Sequence, residues 1–282
     1  MRPMPGVSVG PGDDAAWLGG LALSVDTVVE GVHFRFDWSS PQDVGWKAMA
    51  AALSDLAASR ARPKAALLSL SLPAEQLVTG ARSDQLMEGA HEASAAYGCP
   101  IIGGDVVHAP SGTQISVTVI GQGLSAPLLR RGAAAGDLVQ VSGPLGWAAL
   151  AVQELSAGRT PPARALRAHR RPVPRFDLLD SLARATAAID ISDGLLADAA
   201  RVAVASGVTL ALDRQACVAD GPGRDALCLS GGEDYELLAC APAALPGFRV
   251  IGRAVAGAGE LVWTDGTAVS EARRGWDHGE RS

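Results

Sequence analysis

The chain has 282 residues, 48% of them hydrophobic, with a formal net charge of −6 and a pI near 5.4. That length suits two domains or one large one. The acidic balance argues against sequence-independent nucleic-acid binding, which needs a basic footprint. The cysteines Cys99, Cys217, Cys228 and Cys240 form no C-x-x-C pair, so neither a zinc site nor a disulfide framework is expected, and a reducing compartment is the natural setting. No apolar run reaches the ~18 residues of a membrane span. The start, Met1-Arg2-Pro3-Met4-Pro5-Gly6, lacks the apolar region of a signal peptide. A cytoplasmic protein without membrane or nucleic-acid partners is the expectation.

Residues 1–20 are punctuated by Gly and Pro and end near Gly12-Asp13-Asp14-Ala15. A strand over 21–25 runs into Asp26, with His33 seven residues beyond. Ser40-Pro41 predicts an N-cap with proline in the first helical position. That helix runs to about Ser59 through Met49, Leu53 and Leu56, with Asp43 and Lys47 as an i,i+4 pair. Asp55 sits inside it among Ala, Leu and Met, where a carboxylate is costly unless paired or bound to metal. A strand at 65–72 follows. One amphipathic helix is predicted over 73–97, with Leu77, Leu86 and Met87 as core positions. A buried strand then ends in Gly103-Gly104-Asp105, and another strand spans 114–123.

Ser125-Ala126-Pro127 predicts a domain boundary, giving domains 1–127 and 128–282. The second half reads as a strand at 138–142, a helix at 146–157, an Arg/Pro-rich loop at 158–175 and a helix at 176–185. A short strand at 187–191 opens into Asp190-Ile191-Ser192-Asp193-Gly194. A helix at 195–206, a strand at 208–212, a loop at 213–229 and a strand beginning at Gly231-Gly232-Glu233-Asp234 follow. Strands and helices mixed in both halves indicate an α/β protein of the α+β type.

Acids recur where apolar segments meet Gly, Ser or another Asp: Asp14, Asp26, Asp55, Asp105, Asp190 and Asp193. Small neighbours let a ligand approach the backbone. Carboxylates without a His/Cys cluster favour magnesium, manganese or calcium over zinc. No EF-hand loop, no G-x-x-x-x-G-K-[ST] loop, no protein-kinase signature and no strand-following G-x-G-x-x-G occurs. Magnesium held by carboxylates and substrate phosphates is the pattern of phosphoryl transfer.

Eight motifs in order carry a resemblance: Gly10 to Ala16, Asp26 to Phe34, Lys47 to Ala57, Ile102 to Asp105, His169 to Arg175, Ile189 to Leu195, Ser230 to Leu237, and Gly275-Trp276-Asp277-His278. Together they resemble the thiamine-monophosphate kinases, over nearly the whole chain. The wider superfamily includes aminoimidazole ribonucleotide synthetase, selenophosphate synthetase and a hydrogenase maturation protein. The resemblance implies a two-domain aminoimidazole ribonucleotide synthetase-like fold and a homodimer formed through the sheet of an N-terminal ATP- and metal-binding domain. It also implies phosphorylation of thiamine monophosphate by ATP with several Mg2+ ions. Carried over by position, the metal ligands would be Asp14, Ser24, Val25 through its carbonyl, Asp26, Asp55, Asp105, Asp190 and Asp193. Gly104, Asp105, Arg130 and Ser192 would meet ATP, and His33, Glu233 and Trp276 the thiamine end. An indole face suits a cationic thiazolium.

Each of these has a plainer alternative. His33 alone reads as an ordinary histidine, Trp276 as a hydrophobic plug, and Glu233 as a turn residue with Asp234 its rival. Arg170, Arg171 and Arg175 read as a solvated loop or as phosphate contacts. The chain also departs from the family. Only about ten residues precede the first glycine turn, where a helix is usual, and Ala52 replaces an amide residue. Arg60 stands where glycine is usual, Val106-Val107 replaces hydroxyl residues, and the 213–229 loop is short. A sister enzyme with another acceptor and a non-catalytic binder of thiamine phosphates or nucleotide are the alternatives to the kinase.

Overall fold

The computed structural model describes residues 5–269, with the side chains of 77–79 excepted. Trp276 and the side chain of Leu77 therefore lie outside the described residues. Contacts divide the chain into two units. The first comprises Met1–Leu56, Ala61–Leu124 and Arg170–Pro174, the second Ala57–Arg60, Ser125–His169 and Arg175–Ser282.

The first half of the chain runs β1 (Val7–Val9), β2 (Ala16–Leu18), β3 (Leu21–Val29), α1 (Pro41–Ala58), β4 (Ala61–Leu72), α2 (Ala74–Thr79), α3 (Ala81–Tyr97), β5 (Ile101–His108) and β6 (Gln114–Gly123). Its strands form one sheet in the order β1-β2-β3-β6-β4-β5, antiparallel except for the β4–β5 pair. Side chains alternate between faces along each strand. Ala22, Val28, Ile115, Val117, Val119, Leu68, Leu70 and Leu72 point to the buried face, and Met49, Leu53 and Leu56 of α1 are wholly buried. The other face carries Val25, 64% exposed, and Leu67, 41% exposed.

Helices α1 and α3 cross at two glycines. A Cβ on Gly89 would lie 1.8 Å from the Gln42 carbonyl oxygen, and one on Gly45 1.9 Å from that of Leu86. Residues 170–174 are fastened to this crossing. The Arg171 guanidinium bridges Asp43 at 2.7 Å and Glu92 at 2.6 Å, and Trp46 Nε1 donates to the Pro172 carbonyl at 2.9 Å.

The second half runs β7 (Leu138–Val141), α4 (Trp147–Ser156), α5 (Ala163–Arg170), two 3-10 turns (Phe176–Leu178 and Ser181–Arg184), β8 (Ala187–Ile191), α6 (Leu195–Ser206), β9 (Val208–Leu212), α7 (Arg214–Val218), α8 (Asp225–Ser230), β10 (Glu236–Ala241), β11 (Arg249–Ala256) and β12 (Leu261–Trp263). Its sheet is ordered β12-β9-β11-β7-β10-β8. Val139, Val141, Ile189, Ile191, Leu210, Leu212, Leu238 and Ile251 pack with Leu195, Ala199 and Val202 of α6 into its main core. Two mixed α/β sheets are thus the architecture expected from sequence.

Several element boundaries differ from the expectation. The strand at 21–25 extends to Val29, because the β-branched run Thr27-Val28-Val29 continues the pairing with β6. Asp26 therefore lies within a strand and not at its end. Likewise β5 continues through Val106-Val107 to His108 and is exposed along most of its length, so Asp105 is neither terminal nor buried. The helix expected over 73–97 breaks at Gly80, whose φ of 67° closes α2. The loop expected over 158–175 contains α5, and 176–185 forms 3-10 turns in place of a helix. The loop at 213–229 holds α7 and α8, and the strand expected from Gly231 begins at Glu236. Among the described residues no helix is long and apolar enough to cross a membrane.

Candidate active site

In the first unit the acids gather where β3 meets α1. Ser24 and Asp26 alternate along β3 on the buried face of its sheet. Ser24 Oγ donates a short hydrogen bond to Asp55 Oδ2 of α1. In the bend before β2, Asp13 Oδ1 accepts from the Asp14 amide at 3.2 Å, and Asp14 itself is buried. A carboxylate oxygen of Asp14 and one of Asp55 lie within 4.8 Å of each other. Like charges that close are expensive in a buried setting and become favourable around a cation. All donors here are oxygens, which suits a hard ion such as Mg2+.

Asp26 Oδ1 accepts from the Thr27 amide at 2.7 Å. Val25 directs its side chain to the other face, leaving only its main chain on the β3 line. His33 closes the turn after β3: its Nδ1 accepts from the Val29 amide at 3.1 Å, and its carbonyl receives Lys47 Nζ at 2.8 Å. The buried Lys47 thus fixes this turn to α1, while Asp43, its expected partner, pairs with Arg171.

Asp105 does not join this group within the unit. The register aligns Asp26, Val117, Leu68 and Gly104 on one face and Thr27, Ser116, Ser69 and Asp105 on the other. Asp105 thus stands on the opposite face of the sheet from Asp26. Gly104 has a structural reason to be glycine, since a Cβ there would lie 1.8 Å from the Leu68 carbonyl oxygen.

In the second unit Asp190 is buried in β8, and Ser192 and Asp193 form the turn that leads into α6. Two residues not picked out from sequence hold this turn. Asp198 Oδ2 accepts from the Ser192 and Asp193 amides, each at 3.1 Å. Arg201 Nη2 pairs with Asp193 Oδ2 at 2.5 Å, and its Nη1 with Asp198 Oδ1. Burial pushes the Asp198 carboxyl up to about 7, against the opposing pull of Arg201. The signal that could have found them is the spacing of Asp198 and Arg201, i and i+3 on α6 and close behind the Ser-Asp-Gly turn.

Glu233 backs the same turn. Its amide donates to the Ser192 carbonyl at 2.7 Å, and its carboxylate lies 3.4 Å from Nδ1 of buried His169. Glu233 and Tyr235 both have left-handed backbones, with φ of 68° and 51°, a strain that side-chain-bearing residues keep only where surroundings enforce it. Asp234, the rival of Glu233, accepts from the Gly146 amide at 2.8 Å and so caps the start of α4. Desolvation holds its carboxyl well above the usual range. Arg130 lies apart from this turn: its carbonyl accepts from Ser206 Oγ at 3.2 Å, at the far end of α6 from Asp193. That is about 18 Å of helix.

The arginines of 170–175 are engaged within the protein. Arg170 donates to the Trp38 carbonyl, Arg171 forms the bridge already described, and Arg175 pairs with Asp177 and Glu236. The Cys99, Cys217, Cys228 and Cys240 thiols are buried, and desolvation pushes them up to about 11 or 12, away from nucleophilic use.

The family "AIR synthase related protein, N-terminal domain" matches residues 12–123. A thiamine-monophosphate kinase of Mycobacterium tuberculosis is 40% identical over 273 residues, covering 89% of this chain and 80% of that protein. A solved structure described as AaThiL complexed with AMPPCP and TMP is 33% identical. It superposes with a TM-score of 0.84 over 95% of this chain and 91% of its own. The crystal structure of thiamine monophosphate kinase from Aquifex aeolicus, also 33% identical, gives a TM-score of 0.79 and covers 89% of each chain.

Proposed function

The chain belongs to the thiamine-monophosphate kinase family, and on that premise we propose that it transfers the γ-phosphoryl group of ATP to thiamine monophosphate. A phosphate oxygen of the acceptor forms the new P–O bond as the bond from the γ-phosphorus to the β–γ bridging oxygen breaks. The products are thiamine diphosphate and ADP. The match to curated kinases over most of the chain carries this reading. The acceptor oxygen is already ionised at neutral pH, so the protein needs no strong base. Its tasks are alignment of two polyanions and neutralisation of their charge.

We assign neutralisation to several Mg2+ ions held by Asp14, Ser24, the Val25 carbonyl, Asp26, Asp55, Asp105, Asp190 and Asp193. The crowding of Asp14 and Asp55 supports a cation at that point. Bound there, the ions would offset phosphate charge and draw γ-phosphoryl oxygens into line. Gly104, Asp105, Arg130 and Ser192 are assigned to ATP. His33, Glu233 and Trp276 are assigned to the thiamine end, with His33 on a turn fixed by Lys47 and Glu233 held beside His169. A homodimer formed through the exposed face of the first sheet would bring Asp105 to the subunit boundary.

Asp55→Asn tests the assignment. It preserves the volume of the side chain and an acceptor for Ser24. Phosphoryl transfer should fall about a hundred- to a thousandfold, the scale of losing one preorganised electrostatic contact in an active site, with the melting temperature kept within a few degrees. Activity near that of the unaltered protein would contradict the role given to Asp55.

A further inference from the structure

The contacts at the start of α6 form a closed ring. The Ser192 and Asp193 amides donate to one oxygen of Asp198, and the other oxygen of Asp198 holds Arg201. Arg201 in turn holds Oδ2 of Asp193 at 2.5 Å. Asp198 is 0% exposed. An ordinary i,i+3 pair on a helix surface needs no buried acid and contributes little. This pair reaches back past the helix start and fixes both the main chain and the carboxylate of the preceding turn. Helix capping alone would use the amides and leave Arg201 and the Asp193 side chain out of the ring.

We propose that Arg201, supported by Asp198, is a positioning residue that sets how Asp193 presents itself to a cation. With Oδ2 accepting from the guanidinium, a two-oxygen grip by Asp193 is disfavoured relative to a single-oxygen one. Calcium takes six to eight oxygens and accepts carboxylates through both, whereas magnesium keeps an octahedral shell with single-oxygen carboxylates. The ring therefore biases the turn toward the smaller ion. Orientation of a ligating carboxylate by an outer partner typically changes metal affinity about ten- to a hundredfold when lost. The inference rests on the proposal that Asp193 is a cation ligand.

The test is calorimetric titration of the full-length protein with Mg2+ and with Ca2+, each in the presence of a non-hydrolysable ATP analogue. Arg201→Gln should raise the affinity for Ca2+ relative to Mg2+ about tenfold. Asp198→Asn, whose amide no longer attracts the guanidinium, should shift the ratio the same way. Arg201→Lys should restore part of the selectivity, because an ammonium can still hold Oδ2. These conservative variants carry the test if Arg201→Gln does not fold. A ratio unchanged within about twofold in every folded variant, or no metal binding by the unaltered protein, would overturn the inference. Metal binding with the expected shift but no thiamine diphosphate formation would instead count against the proposed reaction alone.

Discussion

Asp26 and His33 stand at the two ends of one short stretch, and their surroundings assign them different tasks. Asp26 lies on the β3 face that also carries Ser24, whose hydroxyl reaches Asp55. His33 lies in the turn beyond, held by Val29 and Lys47. Asp26→Ala should raise the Mg2+ concentration for half-maximal rate, with little change in the KM for thiamine monophosphate at saturating metal. His33→Ala should do the reverse, raising that KM several-fold at an unchanged metal requirement. Steady-state kinetics varying metal and acceptor independently would separate them, and identical kinetic profiles would refute the division. The nature of Asp26 as an acid on a rigid element was legible in sequence, but its position within the strand was not. An Asp after an apolar run reads as a terminator, and only the partner strand β6 shows that Thr27, Val28 and Val29 continue the ladder. Arg60 gives a physical reason for a departure noted in sequence. Its φ is 55°, a left-handed position that glycine occupies without strain, and hydrogen bonds to the Leu179 carbonyl and Ser125 hold the arginine there.

At the scale of elements, α1 carries Asp55 and anchors the His33 turn through Lys47, so its seat against α3 matters to the site. That seat depends on the contact of two backbones at Gly45 and Gly89. Gly89→Ala puts a methyl group onto the Gln42 carbonyl and cannot be absorbed by a side-chain rotation. It should cost about 3 kcal/mol, the upper range for overpacking, read as a lower urea midpoint with an unchanged m-value. A loss below about 0.5 kcal/mol would mean that the crossing yields easily. The Ser40-Pro41 start signal and the apolar run through Met49, Leu53 and Leu56 made α1 legible from sequence, and Leu195–Ser206 likewise emerged at its expected bounds. Helix α5 was hidden because its Arg-rich sequence and the preceding Pro161-Pro162 resemble a loop, although proline is at home in a helix's first turn. The Asp198–Arg201 ring was hidden for another reason. Its meaning comes from burial and from contact with the preceding turn, and neither is encoded in spacing alone.

For the whole molecule, two sheets of different strand order divide the proposed work. The sequence resemblance captured the family and the mixed architecture. It could not show that Asp26 and Asp105 stand on opposite faces of one sheet, because face assignment depends on pairing across β3, β6, β4 and β5. The proposed homodimer would cover the face bearing Val25, Leu67 and Val107, exposed by 64, 41 and 40%. Leu67→Glu with Val107→Glu should convert a dimer to a monomer in sedimentation and lower the rate, since Asp105 shares that face. A monomeric unaltered protein would refute this arrangement.

The most direct test of the central claim is the identity of the product. The purified protein is incubated with ATP labelled in the γ-phosphate, Mg2+ and thiamine monophosphate, and the mixture is resolved by chromatography. The label should appear in the terminal phosphate of thiamine diphosphate, with one ADP formed for each. Folded protein that binds ATP yet places no label in thiamine diphosphate at saturating substrate and metal would contradict the account.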